Sequence, residues 1–370
     1  MRWDAPAPRE REAGERSWEV VRSAWEARTP HPRVHQRRGA LVAIAIAFAI
    51  AAAALSPPGL AVLGSIRDAV RGSTSRDELT SLPAPGPLLV QTSAGAWVVQ
   101  QDGSKRFLAG YNDAVWSPHG LFVAAARSNE LVAMEPNGRI HWTLARSRPI
   151  GSPEWSYEGF RIAYLSGASL RVVNGDGTGD RLITPSVNVT PAPSLAWRPG
   201  THVLAYTNSR SQLTLLDVDR NRILWRRPLP GAEHLLWSDD GRRLLAVAAH
   251  VELFDPRGDL VATIHQRGTV VGVAFLPHRE AFTLATVGRG RSAVTLYGRR
   301  TKLLFSGAGE VGGIAWSPDA RWLLVDWRGA NQWLFMRTVG APRVRPVSNI
   351  DNIFGAGPEA PLRVVGWCCP

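Results

Sequence analysis

The sequence predicts an all-β fold, a seven-bladed β-propeller of four-stranded blades preceded by a single transmembrane helix, and three observations carry that expectation. First, one motif recurs along the chain: an apolar pair, then Trp, a polar or small residue, and often Gly before an apolar strand. Its anchors are Trp116, Trp155, Trp197, Trp237, Phe275, Trp316 and Trp367, separated by 39, 42, 40, 38, 41 and 51 residues. Second, about forty residues accommodate four strands of five or six residues with their turns, which is one propeller blade. Third, the two ends of the repeat region are complementary. Residues Leu362 to Trp367 form a motif strand with nothing after it, while Leu88 to Gln91, Ala96 to Gln101 and Arg106 to Ala109 are three strands with no motif before them. Joined in one blade they close the ring and remove its open edge.

In chain order, residues 1–38 form a short tail. Trp18, Val21 and Trp25 share one face of a helix that Ser17 starts, with Glu19, Arg22, Glu26 and Arg28 on the other. That face is a candidate docking surface, for the membrane interface or for a cytoplasmic partner. Residues 39–66 carry no charge, and Leu41 to Leu55 is an unbroken apolar run, the candidate transmembrane segment. As a helix that run covers only about 22 Å of a hydrocarbon core of about 30 Å. The preferred reading is a span that kinks at Pro57 and Pro58 and continues through Leu60 to Leu63. A cleaved signal peptide competes with it, although 38 residues precede the apolar stretch. Arg28, Arg33, Arg37 and Arg38 ahead of the segment place the N-terminus in the cytoplasm, and hence the propeller outside the cytoplasmic membrane. Residues 67–85 read as a linker and 86–370 as the propeller.

In the copy around Trp237 the four strands are His234 to Trp237, Leu244 to Ala248, Val251 to Phe254 and Leu260 to Ile264. Asp239-Asp240-Gly241 and Pro256-Arg257-Gly258 mark turns between them. The Trp at the end of each innermost strand is expected to wedge between neighbouring blades. Pro346 to Pro361 reads as an inserted loop that lengthens the last period.

The copies AVWSPHG at Ala114, PEWSYEG at Pro153, LLWSDDG at Leu235 and IAWSPDA at Ile314 resemble the repeat of TolB-like and WD40-like propellers. The resemblance covers roughly residues 86 to 367; it implies the fold and says little about activity. Outer strands ending in Trp, as in Ile140-His141-Trp142 and Ile223-Leu224-Trp225, are also similar to quinoprotein-type repeats. The outline of short tail, span and exported sensor is similar to transmembrane anti-sigma factors, without the cysteine and histidine motif of their zinc-type members.

Catalytic signatures are missing: the chain has no G-x-S-x-G elbow, H-E-x-x-H, P-loop or C-x-x-C. No catalytic residue, metal or cofactor is expected. The segment Asn174 to Asp180 resembles a calcium loop, but it falls where a blade needs a hairpin turn and lacks the closing Glu. The two cysteines, Cys368 and Cys369, are adjacent and leave three states open: a vicinal disulfide, pairing between molecules, or thiols packed beside the closing strand.

The net charge of +12 is carried almost wholly by arginine, and residues 1–38 hold only +3 of it. In a propeller the turns between second and third strands emerge on one face with the connections between blades. Those turns hold Arg127, Arg210, His250, Arg289, Arg291 and Arg328, and the connections add Arg146, Arg148, Arg226, Arg227 and Arg267. The opposite face collects Asp176, Asp180, Asp217, Asp219, Asp239, Asp240, Asp255 and Asp319. The expectation is an electrically polar disc whose basic face takes an anionic envelope ligand or a partner protein, with nucleic acid disfavoured. The resulting function is a membrane-anchored, non-catalytic binding scaffold; the alternative is a signal transducer in which propeller occupancy alters what the tail binds.

Overall fold

The computed structural model describes residues 79–188, 194–341, 343–357 and 362–369. The tail helix with Trp18, Val21 and Trp25, and the candidate span 39–66, lie outside the described residues. Among the described residues no helix is long and apolar enough to cross a membrane.

Seven four-stranded antiparallel sheets form the blades, each with strands in the order inner, second, third, outer. Blade 1 takes its inner strand from the C-terminus, Arg363–Trp367, and its others from Leu88–Thr92, Gly95–Val99 and Lys105–Ala109. The inner strands of blades 2 to 7 are Asn112–Trp116, Ile150–Trp155, Leu195–Trp197, His234–Trp237, Thr269–Phe275 and Gly313–Trp316. Each inner strand packs against the next around the ring, and that of blade 1 touches those of blades 7 and 2, so the ring is closed. The composite blade is therefore confirmed, with Leu88 opposite Trp367 and Gln91 opposite Arg363.

The repeat motif has a physical role at each of its positions. The strand-end Trp fills the gap between sheets: Trp237 packs with Leu213 and Leu215 of blade 4, and Trp316 with Val294 and Phe305 of blade 6. Trp197 donates its indole N–H to the Glu154 carbonyl of the preceding blade, and Trp316 donates to Thr283 Oγ1, each at 3.0 Å. The Ser that follows the Trp caps the turn. Ser117, Ser156, Ser238 and Ser317 are buried, and each hydroxyl accepts the backbone N–H five residues on. This satisfies a donor that the tight turn would otherwise leave unpaired.

The outer-strand Trp residues form a second tie between blades. Trp142 donates to the Gly175 carbonyl at 2.9 Å and Trp225 to the Pro256 carbonyl at 3.0 Å, each in the hairpin turn of the next blade. Their rings lie so close to Gly177 and Gly258, both at positive φ, that a Cβ there would collide with the indole. Glycine is required at these two positions by both conformation and space.

Two boundaries differ from expectation. Pro346 lies inside the outer strand Arg343–Ser348 of blade 7, because an edge strand has one side where a missing N–H costs nothing. The insertion starts after that strand, and its short helix α1, Ile350–Phe354, buries Ile350 and Phe354 against Trp333 and Trp97. Leu79, Leu82 and Ala84, in the stretch read as linker, are also buried in this cluster, so the packed domain begins by residue 79.

Candidate functional site

The antiparallel order puts the second-to-third turn of every blade at the same end as the connection to the next blade. The arginines read as a basic face do lie on those turns, but their surroundings divide them. Arg210 and Arg289 are exposed, and no acidic partner engages either among the described residues. The Arg291 guanidinium reaches Ser306 Oγ at 3.5 Å, and the exposed His250 ring lies 4.3 Å from that of His265.

Arg127 is committed: it pairs with Glu130 at 2.7 Å and lies over the Tyr111 ring. Arg328 corrects the expectation of a solvent-facing turn. It is half-buried, donates to the Leu362 carbonyl at 2.7 Å and faces Asp326 Oδ2 at 3.5 Å. It therefore helps seal the closing strand, a role that a turn pattern does not reveal.

The opposing acidic rim is also reduced. Asp180 is not a rim charge: it is clamped by Arg146, Arg171 and the Tyr164 hydroxyl between blades 2 and 3. Burial pushes its pKa up, but the hydrogen bonds from Arg171 and Tyr164 and the arginine charges outweigh that and hold it below the usual carboxylate range. This arrangement also accounts for the calcium-like segment, which is the third-to-outer turn of blade 3, with Asp176 accepting from Thr178. Asp219 likewise gathers Arg161, Arg181 and His202 between blades 3 and 4. Arg146 and Arg227, expected on the basic face, reach instead to the opposite turns of the next blade, Arg227 donating to the Gly258 carbonyl at 3.0 Å. The reason is twist: accumulated over four strands, it lays each outer strand across its neighbour. Asp240, Asp255 and Asp319 accept backbone N–H groups at their own turns, Asp239 accepts the His278 N–H of the next blade, and Asp217 binds Arg220.

Two carboxyls stand out. Glu154, half-buried on the inner strand of blade 3, has no side-chain partner among the described residues, and desolvation pushes its pKa up to about 8. Asp326, whose side chain is 3% exposed, is pushed up to about 7 by burial, with Arg328 opposing the shift. A folded-state carboxyl pKa above its unfolded value of 3.8 means that the native state holds the proton longer. Stability is therefore greatest below that unfolded value and falls as pH rises toward about 7. The Asp326→Asn variant is expected to melt a few degrees above wild type at about pH 8 and together with it at about pH 3. Scanning calorimetry at both values checks this, and a variant less stable at both would mean that the Arg328 pair outweighs the burial cost.

Cys368 and Cys369 are joined as a vicinal disulfide. Their sulfurs lie 3.7 and 3.8 Å from the Ser117 carbonyl oxygen of blade 2. Among the described residues no three His, Cys, Asp or Glu side chains converge as metal ligands.

The chain is a seven-bladed β-propeller of four-stranded blades. No family model and no curated protein matches its sequence. Solved structures match its fold. The β-propeller domain of Myceliophteria thermophila Cps50 (Swd1) is 14% identical with a TM-score of 0.50, covering 64% of this chain and 85% of its own. A chain of the mitotic checkpoint complex is 16% identical at 0.53, covering 68% and 91%. Dihydro-heme d1 dehydrogenase NirN is 14% identical at 0.54, covering 74% and 68%. At such identities the likeness is one of fold.

A feature that the sequence reading missed is a cleft of about 720 Å³ between blades 2 and 3. It is lined by Phe122, His141, Trp142, Trp155, Phe160 and Asp176 among others. Its only signal in the sequence is the run of aromatic residues in two successive repeats.

Proposed function

We propose that this protein is a membrane-anchored propeller that serves as a binding scaffold on the outer side of the cytoplasmic membrane and performs no reaction. The observation that carries the reading is a closed propeller, following an uncharged apolar segment, with arginines Arg210 and Arg289 exposed on turns of one face. Propellers of this shape occur both in an assembly, the mitotic checkpoint complex, and in a dehydrogenase, so the fold by itself admits either role. The scaffold reading rests on the absence of G-x-S-x-G, H-E-x-x-H, P-loop and C-x-x-C signatures from the sequence and of converging metal ligands among the described residues. The ligand proposed for the basic face is an anionic envelope polymer or an acidic surface of a partner protein.

Soluble polyphosphate is the probe. Binding is expected to fall steeply between low and physiological salt, because exposed charges more than about 8 to 10 Å apart are then largely screened. Changing Arg210 to Gln and Arg289 to Asn together should weaken binding roughly two- to thirtyfold, given about 0.2–1 kcal/mol for each exposed charge. Asn is chosen because residue 289 has a φ of 51°, which Asn tolerates. Asp259→Asn, on an exposed turn at the other end of a blade, is the control. Equal loss in both variants, or none in either, would overturn the proposal.

A further inference from the structure

The repeats carry their own comparison for the cleft between blades 2 and 3. At the junction of blades 4 and 5 the residue after the inner-strand Trp197 is Arg198. Its guanidinium lies 5.6 Å over the Trp237 ring and its Nε donates to the Gly241 carbonyl at 2.9 Å. At the junction of blades 1 and 2 the residue in that register is Cys368, whose sulfur packs onto Gly120, the counterpart of Gly241. At the junction of blades 2 and 3 the counterparts are Ser117, Trp155 and Gly159, and the serine turns back to cap its own turn. A Cβ built on Gly159 would meet nothing nearer than Pro118 Cδ at 3.8 Å. The outer-strand tie is conserved between the two junctions, with Trp142 on Gly175 matching Trp225 on Pro256, so the same frame is present in both. The cleft occupies the position that an arginine fills two blades on.

The local chemistry suits the missing cation. Asp176 lines the cleft. Glu158, one residue from Gly159, has a buried Oε1 that accepts no hydrogen bond. In the turns of blades 5 and 7 this register holds Asp240 and Asp319, each accepting from its Ser hydroxyl, whereas the longer Glu158 does not. The cation already at the cleft, Arg161, is engaged by Asp219 at 2.7 Å. Apolar side chains stand exposed on the same two turns: Phe160 at 70%, Leu121 at 64% and Tyr157 at 51%. A desolvated cation over an indole face, with a carbonyl acceptor and a carboxylate nearby, is a favourable site for guanidinium, and its planar fork suits it better than an ammonium.

We propose that the cleft between blades 2 and 3 docks an arginine side chain of a partner polypeptide. The guanidinium lies over Trp155 and donates to the Gly159 carbonyl, as Arg198 does over Trp237 and to Gly241. Apolar residues flanking that arginine cover Phe160 and Leu121. This site is at the opposite end of the blades from Arg210 and Arg289, and it stands or falls independently of the anion-binding face.

The test uses the full-length chain in non-ionic detergent and three fluorescent pentapeptides, Ala-Leu-Xaa-Leu-Ala, with Xaa as arginine, lysine or citrulline. Saturable binding of the arginine peptide is expected, at least tenfold weaker for lysine and undetectable for citrulline. Ser117→Arg should place a tethered guanidinium in the cleft and reduce arginine-peptide binding at least tenfold. The pair Asp176→Asn with Glu158→Gln, which leaves the cleft open, should weaken binding several-fold, and the Arg210 and Arg289 variants should leave it unchanged. Absence of saturable binding by wild type, equal binding of arginine and lysine peptides, or full binding by both the Ser117→Arg and the acidic-pair variants would each overturn the assignment.

Discussion

Deleting residues 362–370 is expected to abolish the cooperative melt of the propeller. The removed strand supplies the whole inner edge of blade 1, paired with Leu88 through Gln91, and buries Leu362, Val364 and Trp367 in a cluster shared with Trp333 and Phe335 of blade 7. Losing each such side chain costs about 2–5 kcal/mol, and native domains hold only about 5–15 kcal/mol in total. The deletion also strands the Arg328 guanidinium, which loses the Leu362 carbonyl, beside the buried Asp326. It reopens the ring at an edge whose unpaired backbone groups are free to recruit another chain. Calorimetry, with dye binding for exposed apolar surface, checks this; a cooperative transition near the wild-type temperature would mean that the composite blade is dispensable.

Trp316→Ala is expected to be the most damaging single substitution among the repeat anchors, by about 3–5 kcal/mol. Trp316 is 5% exposed and packs against Val294 and Phe305 across the boundary of blades 6 and 7. Its indole N–H reaches Thr283 Oγ1, in a strand interior that water does not enter. Removing the ring leaves a large cavity and an unpaired hydroxyl together. Trp316→Phe, which keeps most of the volume and loses the hydrogen bond, should cost roughly a third as much, in line with about 1 kcal/mol for the bond. Chemical denaturation of the three proteins separates packing from hydrogen bonding. Equal loss in both variants would place the effect in the hydrogen bond alone.

Both expectations concern joints between blades, and those joints mark the limit of what a linear reading reaches. The seven anchors and their spacing were legible because a blade cannot bury both faces of its sheet alone. Every repeat therefore carries an aromatic wedge at the same register, Trp in six repeats and Phe275 in the seventh. The composite blade was legible for a related reason, since three strands lacking a partner and one strand lacking company add up to one sheet. The role of the Ser after the Trp was visible as a pattern but not as a mechanism. Its hydroxyl had to be seen accepting the N–H five residues on.

The candidate sites were less legible. The turns were placed correctly, yet Arg127, Arg146 and Arg328 turned out to be engaged while Arg210 and Arg289 stand in solvent. What separates Arg328 from Arg210 is local only in part, Asp326 two residues before it; the other half is the Leu362 carbonyl, 34 residues away and leading into another blade.

By itself, then, the sequence determined the architecture: period, strand order, blade count and the strand that closes the ring all follow from local burial patterns repeated along the chain. Only the tertiary structure decided which charges remain free and which inter-blade gap stays open. The reason is that these depend on side chains about forty residues apart meeting across a twisted boundary. Asp180 becomes a buried clamp there, Arg198 fills one cleft, and Ser117, in the same register, leaves another empty.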